Sequence, residues 1–271
     1  MTSIHKRIFT GLFKHAGILR DYEISKKEWV LDGASVSYGF AFELKDALSH
    51  DIQRERDFKY TGMDMSEIVK HIAQFTSDIW QIHPFCEGNT RTTAVFIIKY
   101  LRSLGFDVNN TTFEKNSWYF RNALVRANYQ NLQKGIYKET IHLERFFRNL
   151  LMGEDNVLMN RHIHVTAKEL LDGTTQASTP TSTPTSTPTS IFPESENIKR
   201  LISAIAEKQL SVKEMMAAVG LKDRQNFIEY SLSPAMQKGY VRMLYPDSPR
   251  HPRQKYLLTV KGLAAYKELS R

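Results

Sequence analysis

The chain has 271 residues, enough for one large domain or two ordinary ones. With 41% hydrophobic and 24% charged residues it can build a core, which excludes a wholly disordered chain, and no apolar run reaches the ~18 residues of a spanning helix, which excludes membrane partners of that kind. The net charge of +8 points toward an anionic partner such as nucleic acid without locating the excess. Cys86 is the single cysteine, so no internal disulfide can form, and the start Met1-Thr-Ser-Ile-His-Lys-Arg lacks an apolar signal core. Both features lead us to expect a cytoplasmic location.

In chain order, the first segment with a pattern is 33–39, Gly-Ala-Ser-Val-Ser-Tyr-Gly, bounded by glycines and predicted as a short strand or hairpin. Ile68, Ile72, Phe75, Ile79 and Ile82 recur at spacings of four and three, predicting a helix over about 66–82 that Ser66 and Glu67 begin. A second helix starts near Arg91, carries Ala94, Ile97, Ile98, Leu101 and Leu104 on one side, and stops at Gly105. Residues 116–132 and 139–153 predict two more helices, with Trp118, Leu124, Leu143, Phe146 and Phe147 as core. His162 and His164 have the spacing of metal ligands, but no Cys, His or carboxylate pattern accompanies them, so a surface or core role is expected.

Residues 178–190 repeat Ser-Thr-Pro-Thr three times and end at Ser190. Nothing there can form a core and the prolines favour extended backbone, so 172–190 is predicted as a semi-stiff linker between a domain at 1–171 and another at 191–271. The charge divides unevenly. From 191 to 271 there are 14 Lys and Arg against 8 Asp and Glu, which leaves 23 against 21 for the rest. In the smaller part, helices are predicted over 197–208, over 211–218 and from Asp223, the third with Phe227, Ile228 and Tyr230 inward. Strands over 239–245 and 254–260 follow across a Pro-rich turn at 246–252.

The chemistry concentrates in His83-Pro84-Phe85-Cys86-Glu87-Gly88-Asn89-Thr90-Arg91. Pro84 breaks the first helix, and Gly88 and Asn89 tolerate unusual backbone angles. The N-terminus of the following helix offers unpaired N–H groups and the positive end of a dipole to an anion, and Arg91 adds a charged fork suited to phosphate. His83 can act as a general base near neutral pH. Glu87 can share a divalent cation with phosphate oxygens, as magnesium commonly requires. Base, carboxylate, anion loop and arginine within nine residues suggest phosphate-transfer chemistry; ordinary loop and cap chemistry uses the same residue types.

This string resembles the signature of the Fic family, HPFx(D/E)GNGRxxR, and the surrounding chain from about residue 33 to 164 resembles a Fic domain. The resemblance implies a mainly α fold, a helical bundle with a small β-hairpin flap, and transfer of AMP from ATP to a hydroxyl of a target protein with magnesium and release of pyrophosphate. It implies that His83 takes the proton from the target hydroxyl and that Glu87 binds Mg2+. Gly88, Asn89 and Thr90 would surround the phosphates, Arg91 would contact a phosphate oxygen, and Phe85 would anchor the loop in the core. It implies also that 33–39 docks the target segment as an added strand. Two positions depart from the family: Thr90 replaces a second glycine and Ala94 a second arginine, which puts γ-phosphate recognition in question. No segment matches the family's inhibitory Ser/Thr-x-x-x-Glu-Gly/Asn; Glu196-Asn197 and Glu28 with Asp32-Gly33 are the nearest, so the usual glutamate latch is expected to be missing.

Residues 191–271 resemble a winged-helix domain of the kind appended to Fic domains, three helices and a β-hairpin, with Arg250, Arg253 and Lys255 on the wing. That implies DNA as a partner of 191–271. The same domain type also serves protein interaction and dimerisation, so a homodimer is the other expectation. Beside protein adenylyl transfer, the alternatives are a DNA-binding regulator whose Fic part senses nucleotide, and transfer of another nucleotide monophosphate or of phosphate.

Overall fold

The computed structural model describes residues 1–166 and 192–271; the expected linker at 172–190 lies outside the described residues. The chain divides into two compact units. The first holds Met1–Asp57, Lys70–Phe96 and the described residues of Asn110–Thr189, and the second holds Phe58–Val69, Ile97–Asn109 and the described residues of Ser190–Arg271. The fold is mainly helical, and among the described residues no helix is long and apolar enough to cross a membrane.

The helices begin with α1 (Thr2–Phe9) and α2 (Leu44–Asp57), followed by α3 (Met65–Ile82) and α4 (Asn89–Ser103). The pattern predicted for α3 is observed: Ile68, Ile72, Phe75, Ile79 and Ile82 are all buried. Its start is capped by Asp64 rather than Ser66. The Asp64 N–H donates to Glu67 Oε2 at 2.8 Å and the Glu67 N–H to Asp64 Oδ1 at 3.0 Å, a reciprocal cap that satisfies two orphan donors. α4 begins at Asn89, two residues before the expected Arg91.

Next come α5 (Thr111–Lys115), α6 (Ser117–Ala127) and α7 (Ile141–Met152). Phe113, Phe120 and Phe146 form an aromatic core with ring centroids 4.9–5.0 Å apart, and Leu124, Leu143 and Phe147 are also buried. Trp118, expected in this core, is 53% exposed. It lies two positions before Phe120, about 200° around the helix, so burying one ring turns the other outward. The segment 33–39 holds no strand. Two of its bonds reach the last turn of α3, the Gly39 N–H donating to the Gln81 carbonyl at 3.2 Å and Gln81 Nε2 to the Ser37 carbonyl at 3.0 Å, and others tie Gly33 and Ala34 to Glu28.

The second unit carries α8 (Glu196–Ile205), α9 (Val212–Val219), α10 (Arg224–Phe227), α11 (Ser233–Gln237), β1 (Val241–Met243), β2 (Tyr256–Leu258) and α12 (Val260–Leu269). A capping box of Ser211 and Glu214 starts α9, and Gly220 at φ 73° ends it. Between α10 and α11 the backbone makes one π turn, Ile228–Leu232. The widened turn shifts the helical phase. Phe227, Ser231, Leu232 and Ala235 are buried, while Tyr230, expected inward, is 57% exposed. The antiparallel pair β1–β2 sets Arg242 opposite Leu257, and each strand is shorter than predicted. Thr259 caps α12 with its hydroxyl, accepting the Gly262 N–H at 3.0 Å, where the sequence reading placed the end of a strand.

Within this unit α12 is joined to the ends of α3 and α4. The Lys261 N–H donates to the Leu104 carbonyl at 3.1 Å, Lys267 Nζ to the Gly62 carbonyl at 2.7 Å, and Arg271 pairs with Asp64 at 3.0 Å. Gly105 and Gly239 meet backbone to backbone, both at positive φ, and a Cβ on either would collide with the other's carbonyl oxygen. Gly239→Ala is expected to cost about 3 kcal/mol or more through strain and overpacking. A drop in the urea midpoint at unchanged slope checks it; an unchanged midpoint would show that the contact yields.

Candidate active site

α3 ends at Ile82, and the chain turns sharply at His83, whose φ of 50° is unusual for a residue with a side chain. One buried side chain, Arg20, holds this turn. Its Nε donates to the His83 carbonyl at 2.9 Å and its Nη1 to the Tyr22 carbonyl at 2.7 Å; Nη2 donates to the carbonyls of Gly39 and, at 3.5 Å, Ile82. Carbonyls at a helix C-terminus lack intrahelical partners and favour a cation. Arg20 supplies both the donors and the charge, and its own N–H donates to the Pro84 carbonyl at 2.9 Å. Nothing in the local sequence singled out Arg20, because its side-chain partners lie up to 63 positions away.

The loop after His83 is closed by Asn89. Its Oδ1 accepts the Phe85 N–H at 2.9 Å and its Nδ2 donates to the Phe85 carbonyl at 2.6 Å. The Asn89 side chain is thus spent on the loop. The first bond of α4 runs from the Thr92 N–H to the Gly88 carbonyl, so the N–H groups of Asn89, Thr90 and Arg91 precede the ladder. Gly88 has φ 78°, and a Cβ there would strike the Phe9 ring. Phe85 is fully buried, stacked on His5 at 3.9 Å, and Cys86 is half-buried beside it in sequence. His5 Nδ1 accepts the Gly17 N–H at 2.8 Å, which leaves the proton on Nε2 to bond the Glu87 carbonyl at 3.0 Å. Burial holds the His5 pKa below its ordinary value. Thr90, the departure from a second glycine, accepts the Trp80 indole N–H on its hydroxyl at 3.0 Å.

His83, Glu87, Gly88, Asn89, Thr90 and Arg91 come together along one cleft of about 270 Å³, with Lys26, Tyr38, Trp118 and Arg121 also in its wall. His83 is 3% exposed, and neither ring nitrogen has a partner among the described residues. Tyr38 lies against the imidazole at 4.0 Å and Trp80 stands edge-on at 5.1 Å. Burial above all, with the charges of Lys26, Arg20 and Arg121 adding to it, lowers the His83 pKa to about 3. Burial also raises the Tyr38 pKa above its ordinary value. Glu87 is half exposed, with Oε2 3.8 Å from Lys26 Nζ. Tyr119, Asn122 and Asn128 of the α6 region are buried and bond to the His142 carbonyl, Asn160 and the Ser77 carbonyl, so they hold the frame. Among the described residues no group of three His, Cys, Asp or Glu could hold a metal, His162 and His164 included.

Residues 1–101 match the family model described as Fic/DOC family, and residues 196–259 match the one described as Filamentation induced by cAMP protein Fic-like, C-terminal domain. Residues 1–101 thus carry a Fic/DOC family domain. Among curated proteins it is 26% identical over 110 residues to "Protein adenylyltransferase VbhT" of Bartonella schoenbuchensis, covering 40% of this chain and 22% of the relative. It is 24% identical over 120 residues to "Probable protein adenylyltransferase Fic" of Escherichia coli, covering 44% and 56%. The chain thus spans about a fifth and about half of the lengths of these relatives. Among solved structures, a Fic family protein from Desulfovibrio desulfuricans aligns over 94% of this chain and 66% of its own, at 19% identity and a TM-score of 0.40. The BepC protein of Bartonella tribocorum with bound AMPPNP aligns over 55% and 71%, at 18% identity and a TM-score of 0.42.

Two outcomes follow from the site. Arg20→Met leaves buried carbonyls without donors and is expected to cost about 3 kcal/mol or more of stability, read from the denaturant midpoint. For His83, the unfolded chain binds a proton below about pH 6.5 while the folded site, at about 3, does not. Stability therefore falls as pH drops from 6.5 toward 3. His83→Gln should lessen that fall; equal slopes for the two proteins would refute a neutral buried imidazole.

Proposed function

We propose that the chain is a protein adenylyltransferase, which moves AMP from ATP to a hydroxyl group of a target protein and releases pyrophosphate. The observation that carries this reading is the buried imidazole of His83, without a partner among the described residues, in the same cleft as the open N-terminus of α4 and Arg91. The match of residues 1–101 to the Fic/DOC family model and the two adenylyltransferase-named relatives support it.

In this reading a free nitrogen of His83 accepts the proton of the target hydroxyl as that oxygen bonds to the α-phosphorus. The bond from the α-phosphorus to the bridging oxygen breaks, and pyrophosphate leaves with its electrons. The N–H groups of Asn89, Thr90 and Arg91 and the Arg91 guanidinium face the negative charge, fixed before the reaction begins. His83 gives its proton to solvent afterward, readily for so weak a base. Phosphate charge in the cleft offsets Lys26 and Arg121, so the bound nucleotide raises the basicity of His83 for its own reaction.

The donor set fits magnesium held jointly with phosphate. Glu87 supplies one half-exposed carboxylate, and magnesium commonly takes one protein carboxylate with phosphates and waters. Such an ion, when bound, would neutralise phosphate charge.

The test is incubation of the full chain with each α-labelled nucleoside triphosphate and magnesium, followed by mass spectrometry of the modified residue. His83→Ala is expected to lower transfer about 10²- to 10⁴-fold while the circular dichroism spectrum persists. Full activity in that variant would sink the reading. The acid limb of kcat should also lie at higher pH than that of kcat/KM, since the former reports the nucleotide-bound site and the latter the free one.

A further inference from the structure

Three cations line the cleft, Lys26, Arg91 and Arg121, against one carboxylate, Glu87. Arg91 stands in the first turn of α4 over the Phe9 ring at 4.7 Å, and Lys26 faces Glu87. Arg121 comes from a different helix, α6, and is not explained by either. Its Nη2 contacts both oxygens of Glu28, at 2.9 and 2.8 Å, and Glu28 is 2% exposed. The backbone of Glu28 is itself fixed, donating to the Ala34 carbonyl and accepting from the Gly33 N–H. One edge of the guanidinium is therefore anchored. The remainder is not: Nη1 has only a 3.4 Å contact with Asn122, and Nε has no acceptor among the described residues. Trp118 flanks the guanidinium at 5.3 Å. A planar fork with spare donors, held by a buried carboxylate in a cleft of net positive charge, suits phosphate oxygens. α4 brings no second cation on its next turn, where Ala94 stands.

We propose that Arg121 is a phosphate ligand of this cleft, gripping the pyrophosphate portion of a bound nucleoside triphosphate, with Glu28 as its fixed anchor. The assignment rests on the adenylyl-transfer reading and adds its polyphosphate contact. An AMP group carries one charge at the reacting phosphorus, which the α4 N-terminus and Arg91 can hold. The larger charge of the pyrophosphate portion calls for the further cation. Glu28 acts on the phosphates only through Arg121 and is a positioning residue.

The experiment is calorimetric titration of the full chain with ATP, AMP and inorganic pyrophosphate in magnesium buffer. Arg121→Ala should weaken ATP and pyrophosphate binding about 10- to 100-fold and leave AMP within about twofold. Arg121→Lys, which keeps the charge and loses the fork, should fall between. Because Arg121→Ala strands a buried carboxylate, the pair Glu28→Gln with Arg121→Met is measured beside it, each checked by melting; it should show the same selective loss. Pyrophosphate that fails to bind the wild-type chain, or binds both variants within about twofold of it, overturns the proposal, as does equal weakening of ATP and AMP. Selective loss of pyrophosphate binding in a chain that transfers no nucleotide upholds Arg121 and refutes adenylyl transfer instead.

Discussion

The last carbonyl of α3 and the carbonyl of His83 converge on the guanidinium of Arg20. A helix C-terminus leaves carbonyls unpaired and carries partial negative charge, and here that end is buried where the loop to α4 departs. Arg20 answers both demands at once, and through the Gly39 and Tyr22 carbonyls it ties two further segments to the same point. Its nearest carboxylate, Glu23, is exposed and 3.6 Å away, so the charge is compensated chiefly by carbonyl dipoles. The positive φ of His83 persists because its neighbours over-determine it.

The loop beyond His83 divides into residues that face the cleft and residues that build it. Phe85 and the Asn89 side chain close the loop on itself. His5 and Phe9 of α1 press on it from behind, one bonding the Glu87 carbonyl and the other filling the space a Cβ at Gly88 would need. Thr90 adds an anchor to Trp80 at the position where the family signature has glycine. With the frame fixed by these contacts, the N–H groups of α4's first turn stay open toward the cleft without needing to be ordered by a ligand.

The electrostatics of the cleft follow from the same geometry. A buried imidazole among Lys26, Arg20 and Arg121 is held neutral far below its ordinary range. The cleft lining sets three cations against the single carboxylate of Glu87. A polyphosphate answers the cation excess, whereas a cationic or neutral ligand would leave it uncompensated.

Much was legible from residues close together in the chain. The four-and-three spacing of Ile68 to Ile82 determined α3 and its buried face, Gly105 and Gly220 marked helix ends, and the nine residues from His83 to Arg91 carried the chemical inventory of the cleft. These features are local: helical period, glycine torsion and the reach of one loop settle them. What the tertiary structure alone decided lies between distant positions: Arg20 with His83, His5 with Glu87, and Arg121 with Glu28, 63, 82 and 93 residues apart. The outward faces of Trp118 and Tyr230 belong here too, since a helix's phase is set by the ring or turn that packs beside it. The sequence by itself determined the groups that the His83–Arg91 loop brings to the site. Their charge state, their free donors and their partners depended on burial and on contacts between remote segments, and no local pattern encodes either.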